Sequence, residues 1–71
     1  MTRDTATALM SIYRRLGELL NEATDVISRE SDPEEQKQLR RPIGQMMAAL
    51  YTDLQVPVIR VFPDLSPDGK P

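Results

Sequence analysis

Cysteine, histidine and tryptophan are all missing from this 71-residue chain, and its aromatic side chains amount to two tyrosines and one phenylalanine. Without cysteine no disulfide can staple the fold, and without cysteine or histidine a structural zinc lacks its ordinary ligands. The same absences remove a thiol nucleophile and the imidazole that would activate a serine. Gly17, Gly44 and Gly69 stand far apart, so no glycine-rich phosphate loop is present. Paired carboxylates for acid–base chemistry would have to be Glu18 and Glu22, which fall on the polar side of a helix. We therefore expect no enzyme activity, no catalytic residue, no metal and no cofactor.

No stretch approaches the ~18 consecutive apolar residues of a membrane span, and Met1-Thr2-Arg3-Asp4 does not lead into an apolar run. Nine Lys and Arg against eleven Asp and Glu leave a formal charge of −2, with the signs interspersed. That pattern offers no basic footprint for nucleic acid or anionic lipid. The expected location is the cytoplasm, with neither membrane nor nucleic acid as partner. A chain this short is near the size at which one core is only marginally stabilising, and with disulfides and metal set aside the remaining staple is oligomerisation.

What the sequence does carry is helical periodicity. Leu9, Ile12, Tyr13, Leu16, Leu19, Leu20, Ala23, Val26 and Ile27 recur at i, i+3, i+4, i+7. Turned at ~100° per residue, with Met10, Gly17 and Thr24 on the margin, they fill an arc of roughly 200°. One neighbouring helix cannot cover such an arc. Ser11, Arg14, Arg15, Glu18, Asn21, Glu22, Asp25 and Arg29 occupy the other face, so this first helix lies on a surface. Thr2, Asp4 and Thr5 supply N-cap chemistry within two residues of Asp4, and the helix is predicted to run to about Arg29, with Asp25 and Arg29 as an i, i+4 pair.

Asp32-Pro33-Glu34-Glu35 is the clearest local signal: Asp caps, Pro is preorganised at the first helical position and Glu35 stands at the third. A second helix is predicted from Pro33 to about Leu54, with Leu39, Ile43, Met46, Met47, Leu50 and Leu54 in register. Pro42 removes a backbone donor inside it, so the helix should be kinked there, not broken. The two helices make an antiparallel hairpin with a tight turn. Folding about the middle of that turn sets Gly17 level with Gly44. The basic doublets Arg14-Arg15 and Arg40-Arg41 have acids within reach, Glu18 for the first and Glu34 and Glu35 near Lys37 and Arg41, which predicts a salt-bridged surface.

From Val56 the sequence changes to Val56-Pro57-Val58-Ile59-Arg60-Val61-Phe62-Pro63. Each proline biases its predecessor to extended geometry, which predicts a non-helical arm lying on a helix face or pairing as an edge strand. Ser66-Pro67-Asp68-Gly69 then has the composition of a type I turn, and Lys70 and Pro71 are expected to be disordered. The predicted organisation is a helical hairpin over residues 1–55 and an extended, proline-containing arm over residues 56–71.

The fold class that follows is all-α: a hairpin pairing with a second copy as a four-helix bundle. Leu9, Ile12, Tyr13, Leu16, Leu20, Ala23, Ile27, Leu39, Ile43, Met46, Met47 and Leu50 are the expected core and dimer interface. Arg40, Tyr51, Ile59, Phe62 and Leu65 are the candidates for binding a larger protein, since Arg and aromatic side chains are enriched at interfaces and Phe62-Pro63-Asp64-Leu65-Ser66 has the make-up of a short docking motif. Arg40 snorkelling from a core edge, and an arm clamping its own hairpin, are the alternatives. In outline, including the acidic turn Asp32-Pro33-Glu34-Glu35-Gln36, the chain is similar to the Rop family of plasmid RNA-binding proteins, which are dimers of helical hairpins; small export chaperones share that outline. The first resemblance implies a nucleic-acid-binding regulator. The residues themselves point to a non-enzymatic adaptor, regulator or chaperone acting as a homodimer.

Overall fold

The computed structural model describes residues 1–66, and all the regular structure among them is helical. Helix α1 spans Arg3–Ile27 and helix α2 spans Pro33–Ala49. The chain then continues without a break through a π-helical segment, Leu50–Gln55, into helix α3, Val56–Val61, and ends in a 3₁₀ turn, Pro63–Leu65. The type I turn expected at Ser66-Pro67-Asp68-Gly69 and the disorder expected of Lys70 and Pro71 lie outside the described residues, the turn all but its first residue.

Both helix starts follow from their caps. Thr2 Oγ1 accepts from the Thr5 amide at 3.2 Å, satisfying one of the unpaired donors of the first turn. Asp32 Oδ1 accepts from the Glu34 amide at 3.1 Å, with Pro33 opening the helix and Glu34 and Glu35 at its positive end. Helix α2 runs on through Pro42. At the other end of α1, Ser28 takes over the last turn, its hydroxyl donating to the Thr24 carbonyl at 2.9 Å. Arg29 thus falls beyond the helix, and the predicted Asp25–Arg29 pair is not made. Nor are the predicted bridges at Glu18, Glu34 and Glu35: among the described residues the ion pair is Arg3 with Asp64. Exposed charges gain little from pairing, because hydration competes and two long side chains must be immobilised.

The two helices are joined by a short turn, residues 28–32, but the register of the hairpin differs from the predicted one. Gly17 meets Leu50, whose Cδ2 lies 3.5 Å from where a Cβ on Gly17 would be, while nothing stands within 4 Å of that position on Gly44. Leu50 is six residues beyond Gly44, which is about 9 Å of helix. Ser28 opposite Arg40, joined by a 3.0 Å hydrogen bond, and Arg3 opposite Asp64 keep the same offset along the whole rod. Residues 28–32 therefore run onward before reversing, and the Gln36 side chain reaches back to the Glu30 carbonyl to close the bend.

The larger correction is at the C-terminal end. Val58-Ile59-Arg60-Val61 is helical, and Val56, just before Pro57, has φ −57° and ψ −44°. The arm is not extended, because the chain enters Pro57 through the π turn, whose wider spacing, with the Val56 amide bonded five residues back to Tyr51, eases the crowding of the proline ring against the preceding turn. Val58, at 3 % exposure, joins Leu50 and Ala6 as the buried apolar side chains of a rod measuring 46 × 19 × 16 Å. Arg3 fastens the end: its terminal nitrogens Nη1 and Nη2 donate to Asp64 Oδ2 at 2.9 and 2.8 Å, and its Cζ stands 5.3 Å from the centre of the Phe62 ring.

Burial, not the ion pair, holds this end, since Arg3 and Asp64 are each more than half exposed. Val58→Ala should therefore cost ~1 to 3 kcal/mol and Asp64→Asn no more than ~1 kcal/mol in urea unfolding. Gly17→Ala should raise stability by ~0.5 to 1 kcal/mol, because a methyl group there makes an ordinary contact with Leu50 and the helix loses its least favourable residue short of proline. A destabilised Gly17→Ala variant would show that the two backbones approach more closely than this register allows.

Candidate functional site

The residues of α1 divide into two adjacent stripes. Ala6, Met10, Tyr13, Gly17, Leu20, Thr24 and Ile27 recur at alternating steps of four and three, and every one is buried or half-buried. Leu9, Ile12, Leu16, Leu19, Ala23 and Val26 repeat the same rhythm, but Ile12, Leu16, Leu19 and Val26 are exposed. A strict seven-residue rhythm keeps a seam facing one partner helix along its length. The first seam faces α2. The second has no partner among the described residues.

The second half of the hairpin carries the same division with one irregularity. Ile43, Met47, Leu50, Val58, Phe62 and Leu65, spaced 4, 3, 8, 4 and 3, are buried or half-buried; Leu39, Met46, Leu54 and Val61, spaced 7, 8 and 7, are exposed. In a regular α-helix a step of eight swings a side chain about 80° out of line, against about 20° for a step of seven. Both steps of eight cross the π segment. There the Val56 amide donates to the Tyr51 carbonyl, five residues back, so the wide turn holds the extra residue and both stripes stay in phase. At the junction the Ala48 carbonyl is satisfied by the Thr52 hydroxyl at 2.9 Å.

Between the two outer stripes lies an open groove of about 350 Å³, lined by Leu16, Leu19, Leu20, Met46, Ala49, Leu50, Asp53 and Leu54. Asp53 is its one charged lining residue. Next to it, on the far side of α1, Ile12, Arg15, Leu16 and Leu19 line a shallower notch. Leu19 and Met46 are each 59 % exposed. Such an array exceeds the scattered apolar side chains that any surface shows.

The expected core and interface residues thus fall into two groups. Leu9, Tyr13, Leu20, Ala23, Ile27, Ile43, Met47 and Leu50 are covered at least in part, whereas Ile12, Leu16, Leu39 and Met46 face outward. The expected partner-binding residues are not gathered in one place. Ile59, Phe62 and Leu65 are half-buried at the clasped end, Tyr51 is exposed on the π segment, and Arg40 stands at the turn, eleven residues or about 16 Å from Tyr51. Leu19, Ala49, Asp53 and Leu54 line the groove although they are not in the expected interface set, and Ala6 and Val58 are buried although they are not in the expected core. The steps of eight, visible in the sequence from Leu50 to Val58 and from Met46 to Leu54, are the signal that finds Val58 and Leu54; Ala6 continues the four-and-three rhythm of Met10, Tyr13 and Gly17.

A second cleft, about 400 Å³ and shallow, lies on α2 between Pro33, Gln36, Lys37, Arg40, Arg41 and Gly44. It brings three cations together at the turn end. Among the described residues no group of three or more His, Cys, Asp and Glu side chains could hold a metal, and no helix is long and apolar enough to cross a membrane.

If the π segment exists to hold one surplus residue, removing that residue should be tolerated. Deleting Thr52 in a Pro57→Ala background brings Leu50 and Val58 seven apart. The melting temperature should then stay within ~5 °C, the equivalent of about 1 kcal/mol in a domain this size. Deleting Gln45 from the regular part of α2 should cost far more, by turning everything after it out of phase. Equal losses from the two deletions would show that the π segment has another cause.

Set beside known proteins, the chain matches no family model, no curated protein and no solved structure.

Proposed function

We propose that this chain is a non-enzymatic protein–protein interaction module that works as a homodimer and serves a larger protein as adaptor, regulator or chaperone. The observation that carries the proposal is the outer face of the hairpin: two unpartnered apolar stripes flanking a groove whose single charge is an aspartate. A groove of that make-up suits apolar side chains and repels a phosphate backbone. The stripes follow the seven-residue rhythm that helices use to pack on helices, so the natural occupant is helical. Histidine and cysteine are missing from the chain, and Asp53 is the one polar side chain that lines the groove.

The basic cleft at Lys37, Arg40 and Arg41 favours a second reading, in which a dimer of hairpins presents these cations to nucleic acid. The two readings differ in their response to salt: phosphate contacts weaken steeply as salt rises, and apolar docking does not.

Size exclusion with light scattering is the first test. The chain should elute at twice 8.0 kDa at tens of micromolar. Leu19→Lys, a change at a position already exposed in the single chain, should give a helical monomer. A wild-type monomer that is fully helical at those concentrations would overturn the homodimer. For the alternative, Arg41→Glu should abolish salt-sensitive binding of a labelled RNA or DNA duplex; no binding by the wild type at low salt would remove that reading.

A further inference from the structure

The geometry points to one mutual arrangement of two copies, an inference that rests on the homodimer reading above: the two-fold axis runs along the helices, and each copy lays the outer stripe of α1 on the outer stripe of the other copy's α2, π segment and α3. Two hairpins can stack their apolar faces about two axes. An axis along the helices keeps every residue at its own height and sets α1 on the other copy's second half. An axis across the helices inverts the heights and sets α1 on α1.

Two charged side chains decide between them. Asp53 lines the groove and Arg15 lines the adjoining notch. The register that sets Gly17 against Leu50 and Arg3 against Asp64 puts Arg15 and Asp53 within about one residue, ~1.5 Å, of the same height. Arg15 is also the midpoint of α1, which spans Arg3–Ile27. With the axis along the helices, Asp53 of each copy meets the notch holding Arg15 of the other, twice per dimer. With the axis across the middle, Arg15 approaches Arg15 and Asp53 approaches Asp53, leaving like charges together in a face that is losing its water. Sliding the copies apart to relieve that repulsion would uncover apolar surface at both ends. The along-axis arrangement keeps full overlap, and it brings Ile12 of one copy to the height of Leu54 of the other.

The absence of cysteine makes a direct test possible. Ile12→Cys and Leu54→Cys chains, mixed and mildly oxidised, should link to each other. Leu16→Cys chains should not self-link, because the two α1 helices then lie on a diagonal of the bundle, ~13 Å apart, beyond the ~7 Å between Cα atoms that a disulfide spans. Arg15→Glu and Asp53→Arg, both at exposed positions, should each raise the dimer dissociation constant about 10-fold, and the double variant should recover to within ~3-fold of wild type. A wild-type monomer in light scattering removes the homodimer reading and this inference with it. A dimer in which Leu16→Cys self-links, or in which the second charge reversal adds to the first, overturns the axis alone.

Discussion

Two helices side by side share one seam, and this chain carries apolar side chains for two. Its first helix has an arc of roughly 200° of apolar surface, wider than any single neighbour covers. The hairpin uses the half of that arc that faces α2 and leaves the other half open. Among the described residues only Ala6, Leu50 and Val58 are buried in consequence, and large side chains such as Leu19, Val26 and Met46 stay more than half exposed. A rod this thin has no other way to distribute them. At ~25 cal/mol per Å² of apolar surface, an uncovered stripe along a 25-residue helix forgoes several kcal/mol that a second layer would supply.

The π segment belongs to the same constraint. Surplus residues in helices usually rotate all that follows, and the rotation here would carry Val58 and Phe62 away from α1. Widening one stretch of helix instead keeps the inner and outer stripes aligned through Val61. It also clears the way for Pro57, since the ring of a proline needs the preceding turn displaced. Within the widened stretch the Thr52 hydroxyl donates to the Ala48 carbonyl, four residues back. The outcome is that Leu54 and Val61 continue the outer stripe begun by Leu39 and Met46, with Asp53 at the edge of the groove as its one charge.

The clasp of Arg3 on Asp64 and Phe62 is a smaller matter energetically, being exposed and screened. Its consequence is geometric. It ties the last described turn to the first turn of α1, so that this turn caps the hairpin and most apolar side chains of residues 56–65 are buried or half-buried. The open groove lies nearer the middle of the rod, apart from the surface that completes the fold.

Much of this was legible in the residues. The two helices, the Asp32-Pro33 start, passage of a helix through Pro42 and the excess width of the apolar arc all follow from local rules: capping chemistry, fixed proline geometry and a 3.6-residue period depend on neighbours a turn away. The register of the hairpin and the helical state of Val56–Val61 were not legible in the same way. A loop of five residues can close at several offsets, and docking of Leu50 on Gly17 chose among them. Pro57 speaks for extended chain by local preference alone, and the burial of Val58 outweighed that preference once α1 stood beside it, whereas Phe62, before Pro63, does leave the helix. Local sequence thus determined which segments were helical and which faces were apolar. Tertiary packing decided which of two equivalent stripes was covered, because that choice depends on contacts between residues dozens of positions apart.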